Sequence, residues 1–378
     1  MKLKCNIYLK YYFLLYIFLT IKFFDLKNYS RNKILLKGRN YLDKCLESHL
    51  PYSKIYRNNL TYKVSAIIPV YNCQNSILAA IKSIQNQNMD EIEIILVNDN
   101  SKDHSLEIIQ NIKKQDKRII IINNKKNMGI LYSRSIGVLG AKGKYIFPLD
   151  NDDMFFDYDV FSSVYKEAIT FNYDIVGFKA IQAENYHANI NEMKDGCHMH
   201  NKSFIIYQPK LSLFGITKNG NLKIIEVHIW SKCIKTSVYK KGVNNLGKKK
   251  YSLHLIWAED TSMLFILFNI ANSYRYITKY GIFRYNKKSS ASNNITISNA
   301  LFGEIFFLDI IFDFTKDNFI SKKIVIDKAI QIKKSPFFHL LNKINRNYLT
   351  LVLKKIYDCQ YIYNKDKKIL KNLFNLFV

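Results

Sequence analysis

The chain has 378 residues, enough for one large domain or two smaller ones, and its 48% hydrophobic content supports a substantial buried core. Its net charge of +27, from 57 Lys+Arg against 30 Asp+Glu, would suit polyanionic partners such as nucleic acid, anionic lipid or phosphorylated ligands. The basic residues are mostly Lys spread along the whole length, without a zinc-finger or RNP-type signature, so no nucleic-acid partner is expected. Six scattered cysteines (Cys5, Cys45, Cys73, Cys197, Cys233, Cys359) form no CxxC pair, which excludes a disulfide-dense scaffold and a structural zinc site. Cys197-His198-Met-His200 reads as a polar loop, with metal binding as the sharper alternative.

Residues Tyr11 to Ile21 form an uninterrupted apolar run, preceded by Lys2, Lys4 and Lys10 and followed by Lys22. A membrane-spanning helix needs about 17–25 residues, which this run reaches if Lys10 and Lys22 snorkel. Without a small-x-small cleavage site, residues 1–26 are expected to be an uncleaved signal anchor, basic end cytosolic and bulk lumenal, as in the ER or Golgi of a eukaryote. Cleavage would instead make the protein secreted, and a buried helix of the folded domain is the other reading. Sequons begin at Asn28, Asn59, Asn201 and Asn294, which suits a lumenal domain but also arises by chance in an Asn-rich chain. Residues 27–62, polar and rich in Tyr and Lys, are expected to be a stem.

From residue 63 the pattern becomes periodic. Short apolar runs at 63–70, 92–97, 119–122 and 144–149 predict strands. Between them, 76–87, the stretch from Asp103 to about Lys114 and 132–140 carry helical spacing, with Asp103 as a cap. Such alternation implies βαβ units and a mainly parallel sheet, whose ligands bind beyond the carboxyl ends of the strands. Those ends carry Tyr71, Asp99 and the run Asp150-Asn-Asp152-Asp153. Asp and Asn are common in turns, so the acidic run reads on its own either as an ordinary turn or as a divalent-cation site. With Tyr71 and Asp99 at neighbouring strand ends, a nucleotide site becomes coherent: a ring to stack on a base, a carboxylate to accept hydrogen bonds, and a cation for a diphosphate. No GxGxxG and no GxxxxGK[ST] follows the first strand, which excludes a dinucleotide fold and a P-loop.

Four segments, V-S-A-I-I-P-V-Y-N (64–72), V-N-D-N-S-K-D (97–103), N-M-G-x4-R (127–134) and P-L-D-N-D-D (148–153), resemble family 2 glycosyltransferases of the GT-A fold in order and spacing. The match is strong over about 63–178 and weaker to about 292. The resemblance implies an α/β GT-A domain over 63–292, with the anchor before it and a helical C-terminal extension over 293–378. It implies nucleotide-sugar contacts at Pro69, Tyr71, Asp99, Arg134, Asp150 and Arg284, with Tyr71 stacking on the base and Asp99 recognising it. It implies Mn²⁺ or Mg²⁺ on Asp152 and Asp150, a D-x-D pair. Asn98 stands where the family more often has Asp. Further on, Trp257-Ala-Glu259-Asp260-Thr261 resembles the family's Glu-Asp motif, making Glu259 and Asp260 the catalytic candidates with Asp260 as general base. An Asp capping the next helix, through Ile270, is the plainer reading. Ile229-Trp230-Ser-Lys232 resembles a W-x-K segment on the acceptor side. Phe283-Arg284-Tyr-Asn-Lys287-Lys288 resembles a loop closing over donor phosphates, or is simply a solvated basic loop.

The expected activity is inverting transfer of one sugar, from a UDP-sugar by resemblance, to a hydroxyl of a glycan, protein or lipid acceptor. No QxxRW motif or cluster of long membrane helices points to a processive synthase. The alternative is a catalytically silent relative that binds sugar-nucleotide and acts as a partner or scaffold. A nucleotidyltransferase would want a Gly-rich, basic loop after the first strand, which Tyr71-Asn-Cys-Gln-Asn-Ser is not. Residues 300–378 alternate apolar and Lys-rich stretches, suited to packing on the domain or to an anionic membrane surface.

Overall fold

A computed structural model of the chain describes residues 30–47, 61–188, 191–195, 200–209, 214–216, 222–224, 228–255, 257–285 and 296–314, with a few positions between 347 and 354. Helix α1 covers 30–47. Strict alternation then gives β1 (Val64–Val70), α2 (Ile77–Gln85), β2 (Ile92–Asn98), α3 (Ser105–Gln115), β3 (Ile119–Asn123), α4 (Ile130–Gly140) and β4 (Tyr145–Pro148). Next come β5 (Met154–Phe155), α5 (Val160–Thr170), β6 (Ile175–Ala183), β7 (Lys194–Asp195), β8 (Phe204–Tyr207) and a separate hairpin of β9 (Phe214–Ile216) and β10 (Leu222–Ile224). β11 (Lys232–Lys235), α6 (Thr236–Leu246), α7 (Lys248–Tyr251), α8 (Glu259–Ile270), β12 (Ser273–Tyr285) and α9 (Ile297–Phe314) complete the described elements.

The main sheet runs β3-β2-β1-β4-β11-β6-β12-β5, with β7 on β6 and β8 on β12. β1 to β4 pair in parallel, each reached by a helical crossover. Alternate residues of these strands serve opposite faces. Ile67, Ile95, Val97 and Ile146 join α4, α6, α8 and α9 on one side, while Ala66, Ile68, Ile94, Leu96 and Phe147 join α2 and α5 on the other. Because both faces are covered, the strands are apolar at nearly every position rather than alternating with polar residues.

The expectation of a mainly parallel sheet holds only to β4. β11 is antiparallel to both β4 and β6, and β12 is parallel to β6 but antiparallel to β5 and β8, so the whole sheet is mixed. After β4 the one-helix-per-strand rhythm stops, and nothing then forces parallel pairing. The reversal has a consequence for the site. Since β11 runs against β4, its first residue and the Ile229–Trp230 segment before it lie at the carboxyl edge of the parallel strands.

Among the described residues no helix is long and apolar enough to cross a membrane. The expected anchor, residues 1–26, lies outside the described residues. Within the expected stem, residues 30–47 are a helix packed on the domain. Leu35, Tyr41, Leu42 and Cys45 recur at helical spacing and are buried with Met154, Phe156, Ile181 and Phe283. Polar composition concealed this, because one apolar stripe among Lys and Asn is enough to dock a helix. In the C-terminal region α9 packs on α8, with Lys250 of α7 bonded to Asp309 at 2.5 Å and Asp313 at 2.6 Å. Most of 315–378 lies outside the described residues.

Candidate active site

Three parallel strands end side by side. After β1, Tyr71 is 42% exposed, its ring presented to solvent at the sheet edge. The loop beneath it is clamped: Cys73 N–H donates to Ser105 Oγ (2.8 Å), Gln74 N–H to Asp103 Oδ2 (3.0 Å) and Lys102 N–H to Asn72 Oδ1 (2.8 Å). Pro69 is buried in β1, and its carbonyl accepts from Asn151 Nδ2 (3.1 Å), tying the acidic turn to the strand.

Asp99, at the end of β2, is buried, and both its oxygens are engaged within the protein. They accept from Asn124 Nδ2 (2.8 Å), Met128 N–H (2.8 Å) and Gly129 N–H (2.7 Å). Asp99 therefore holds the 124–129 loop and the start of α4. Gly129 begins that helix at φ +89°, a conformation that favours glycine. Asn98 is used structurally, accepting from Ser101 N–H and donating to Asn123.

In the acidic turn after β4 the three carboxylates part ways. Asp150 is 27% exposed and accepts from Arg134 Nη2 at 2.9 Å. Asp152 is partly exposed, and its carbonyl accepts from the Tyr186 hydroxyl at 2.7 Å. Asp153 turns inward, 2% exposed, and accepts from Tyr285 N–H at 3.1 Å. Burial, then the charges of Asp152 and Asp150, push the Asp153 carboxyl well above the usual carboxylate range, while Arg284 pulls it back. Arg284 thus lies electrostatically close to the turn. Lys287 and Lys288 lie outside the described residues.

The site closes through Arg134. Its Nη1 donates to Asp260 Oδ1 at 2.6 Å while Nη2 donates to Asp150, and the side chain is only 3% exposed. One guanidinium therefore bridges the turn after β4 and the first turn of α8, 126 residues downstream of Arg134. Gly137, one turn further along α4, permits this. A Cβ there would stand 2.6 Å from Ile67 Cγ2, so any larger residue would push α4 away from β1. Arg134, expected to line the nucleotide pocket, is a strut between two carboxylates; burial works against its charge, and the charges of Asp260 and Asp150 hold it protonated.

Asp260 does not cap its helix. The residue before α8 is Ala258, at φ +63°, and Asp260 Oδ2 instead accepts from Ile229 N–H at 3.2 Å. Burial and the charge of Asp150 raise the Asp260 pKa, opposed by Arg134. Burial and the charge of Asp260 push Glu259 up to about 7. The W-x-K segment serves the same purpose from below. Trp230 is buried against His228 (ring centroids 4.6 Å apart), and Lys232 Nζ donates to the His228 carbonyl at 3.1 Å, which steadies the backbone that reaches Asp260. These side chains are floor rather than acceptor-facing surface. Of the Cys197-x-x-His200 stretch, only His200 is described, packed edge-on to Phe204 and Tyr276.

Among the described residues no group of three or more His, Cys, Asp or Glu is placed to hold a metal ion. Asp150 and Asp152 nevertheless fit a hard divalent cation of the kind bound through one or two carboxylates, with phosphate and water oxygens completing the shell.

The arrangement defines an α/β protein with acidic groups gathered at the carboxyl edge of its sheet. Residues 65–225 match the model of Glycosyl transferase family 2. Relatives include an uncharacterized glycosyltransferase of Rickettsia bellii, 42% identical over 117 residues (29% of this chain, 17% of the relative). A glycosyltransferase of Haemophilus influenzae is 44% identical over 91 residues (24% and 28%), and the glycosyltransferase GlyA of Streptococcus pneumoniae 34% over 113 residues (30% and 16%). The chain thus spans less than a third of each of these relatives' lengths. Among solved structures, Staphylococcus aureus TarS 1–349 in complex with UDP-GlcNAc superposes with a TM-score of 0.57 at 14% identity, covering 79% of this chain and 81% of that one. Residues 65–225, less than half of the chain, thus resemble a family 2 glycosyltransferase domain. Asp260 lies beyond the matched residues.

Proposed function

We propose that the protein transfers a single sugar from a nucleotide-sugar, of the UDP class, to an acceptor hydroxyl with inversion. The observation that carries this reading is the Asp150–Arg134–Asp260 bridge. It sets a donor-side carboxylate and a carboxylate suited to proton removal on the two Nη atoms of one guanidinium. The UDP-GlcNAc complex of the structurally similar TarS supports the donor class.

Tyr71 offers its exposed ring to the base. Asp99 shapes the pocket by holding the 124–129 loop, since its own oxygens are already engaged. Asp152 and Asp150 would hold Mn²⁺ or Mg²⁺, which when bound supplies Lewis-acid neutralisation of the departing diphosphate. Asp260 takes the proton from the acceptor hydroxyl. Its raised pKa makes it a stronger base than an ordinary carboxylate, and Arg134 with the Ile229 N–H fixes its orientation. Glu259, with its pKa near neutrality, spares Asp260 part of a second adjacent charge. One base and no enzyme nucleophile imply inversion.

The test is hydrolysis and transfer by the purified full-length protein across a panel of nucleotide-sugars with Mn²⁺. Asp260→Asn is expected to lower kcat by about 10²–10⁴-fold with UDP affinity unchanged. A variant as fast as wild type would remove Asp260 from the role. A folded wild type that binds UDP yet consumes no donor would favour a silent sugar-nucleotide binder.

A further inference from the structure

Three carboxyl groups within four residues crowd one another, so something must hold the acidic turn in shape. The structure has a grip on it that the chemistry above does not use. Tyr186 lies just past β6, far in sequence from the turn. Its hydroxyl donates to the Asp152 carbonyl at 2.7 Å. Its ring lies 4.2 Å from that of Tyr285, whose backbone N–H holds Asp153, and 6.2 Å from that of Phe283. Two neighbouring tyrosines thus fasten two consecutive residues of the turn, one through a side-chain hydroxyl and one through the backbone.

Tyr186 is itself fixed from α1. Arg39 Nη1 donates to the Tyr186 carbonyl and, at 3.2 Å, to the Ala188 carbonyl. Arg39 is buried, and its guanidinium is oriented by Asp43 one turn further along α1, with Nε donating to Oδ2 at 3.0 Å. The same helix face sets Gly38 against the ring of Phe156, where any Cβ would collide. Phe156 follows β5, the short strand after the turn, and its N–H donates to the Gly281 carbonyl of β12 at 2.9 Å. Contacts therefore run without a gap from α1 through Arg39 and Tyr186 to the backbone of Asp152.

We propose that Tyr186, held by Arg39, is a positioning residue for Asp152, so that α1 belongs to the donor-binding apparatus rather than to a passive stem. The proposal rests on the reading of Asp152 as a cation-binding carboxylate. Tyr186→Phe deletes one hydroxyl and keeps the ring stack. Mn²⁺ affinity of the full-length protein is read by electron paramagnetic resonance with UDP present, and UDP affinity by calorimetry in EDTA. Loss of one net hydrogen bond predicts about three- to tenfold weaker Mn²⁺ binding. UDP affinity in EDTA should stay at the wild-type value, because Tyr71 and the 124–129 loop are untouched, while the thermal midpoint should fall by no more than the few degrees that one hydrogen bond contributes. Arg39→Ala should weaken Mn²⁺ in the same direction. Wild-type Mn²⁺ affinity in Tyr186→Phe would overturn the proposal while leaving the transferase reading intact. An equal fall in UDP affinity in EDTA would also overturn it, showing general loosening of the site. Absence of Mn²⁺ binding by the wild-type protein would overturn the metal assignment and this proposal together.

Discussion

The two acidic clusters of the site use the same side chains in different surroundings. The turn after β4 sits at the mouth of a parallel sheet, where Asp150 keeps 27% exposure. The pair that opens α8 lies deeper, with Asp260 at 16% and both pKa values raised by burial. Carboxylates that stay solvated keep their charge for cations, whereas those in drier surroundings gain basicity. The contrast is set by what covers each cluster. α6 and α9 press α8 into an apolar layer, while Asp150 and Asp152 of the turn after β4 stay partly exposed. Arg134 bonds to both clusters, so it is where the comparison can be broken most directly.

Arg134→Ala should have the largest effect. It leaves Asp150 and Asp260 facing each other without a counter-charge, and breaking such a pair removes about 3 kcal/mol of stability. Transfer should fall below detection, with the thermal midpoint dropping in parallel. A variant of wild-type stability would show that the bridge is incidental.

Glu259→Gln sharpens the difference in basicity through a pH series. Folded Glu259 holds its proton up to about 7 against an ordinary value of 4.5, so the folded state binds more protons than the unfolded chain between those limits. Wild-type stability should therefore fall as pH rises from 4.5 to about 7, then level off. The variant lacks this penalty. Its thermal midpoint should pull ahead of wild type across that window, and parallel melting curves would count against the raised pKa.

Asp153→Asn should have the smallest effect. The amide oxygen can still accept from Tyr285 N–H, and the inward carboxyl is disposed to be neutral already. Mn²⁺ affinity should stay within about twofold of wild type, less than the strength of one hydrogen bond. A large loss would make Asp153 a cation ligand and erase the distinction drawn within the turn.

Much of the first half was legible because its interactions are local. The runs at 63–70, 92–97, 119–122 and 144–149 reappear as β1 to β4 within a residue or two, whereas the cap position of α3 falls on His104 and Asp103, one residue earlier, accepts from Ser105 N–H at 3.0 Å. The helix after Glu259 ends at Ile270 as its apolar run predicts. Less legible was anything that depends on a partner distant in the chain. Asp99 was expected to recognise the base, and nothing near it in sequence shows that it also holds three donors from residues 124–129. Nothing local to Arg134 shows that its partners are Asp150 and Asp260. Gly137, Ile229 and Tyr186 act through a missing Cβ, a backbone N–H and a hydroxyl, none of which stands out in a sequence. The docking of α1 had a signal, the spacing of Leu35, Tyr41, Leu42 and Cys45, masked by surrounding polar residues.

The amino-acid sequence by itself determined the parallel α/β half, the residues at its strand ends and the family resemblance, because periodicity and short motifs are properties of neighbouring residues. Only the tertiary structure decided that the sheet becomes mixed after β4, which carboxylate of the turn faces inward, and that one arginine joins the two clusters. Those outcomes follow from the antiparallel return of β11 and from burial by distant elements, and burial is what raises the pKa of Asp153, Glu259 and Asp260.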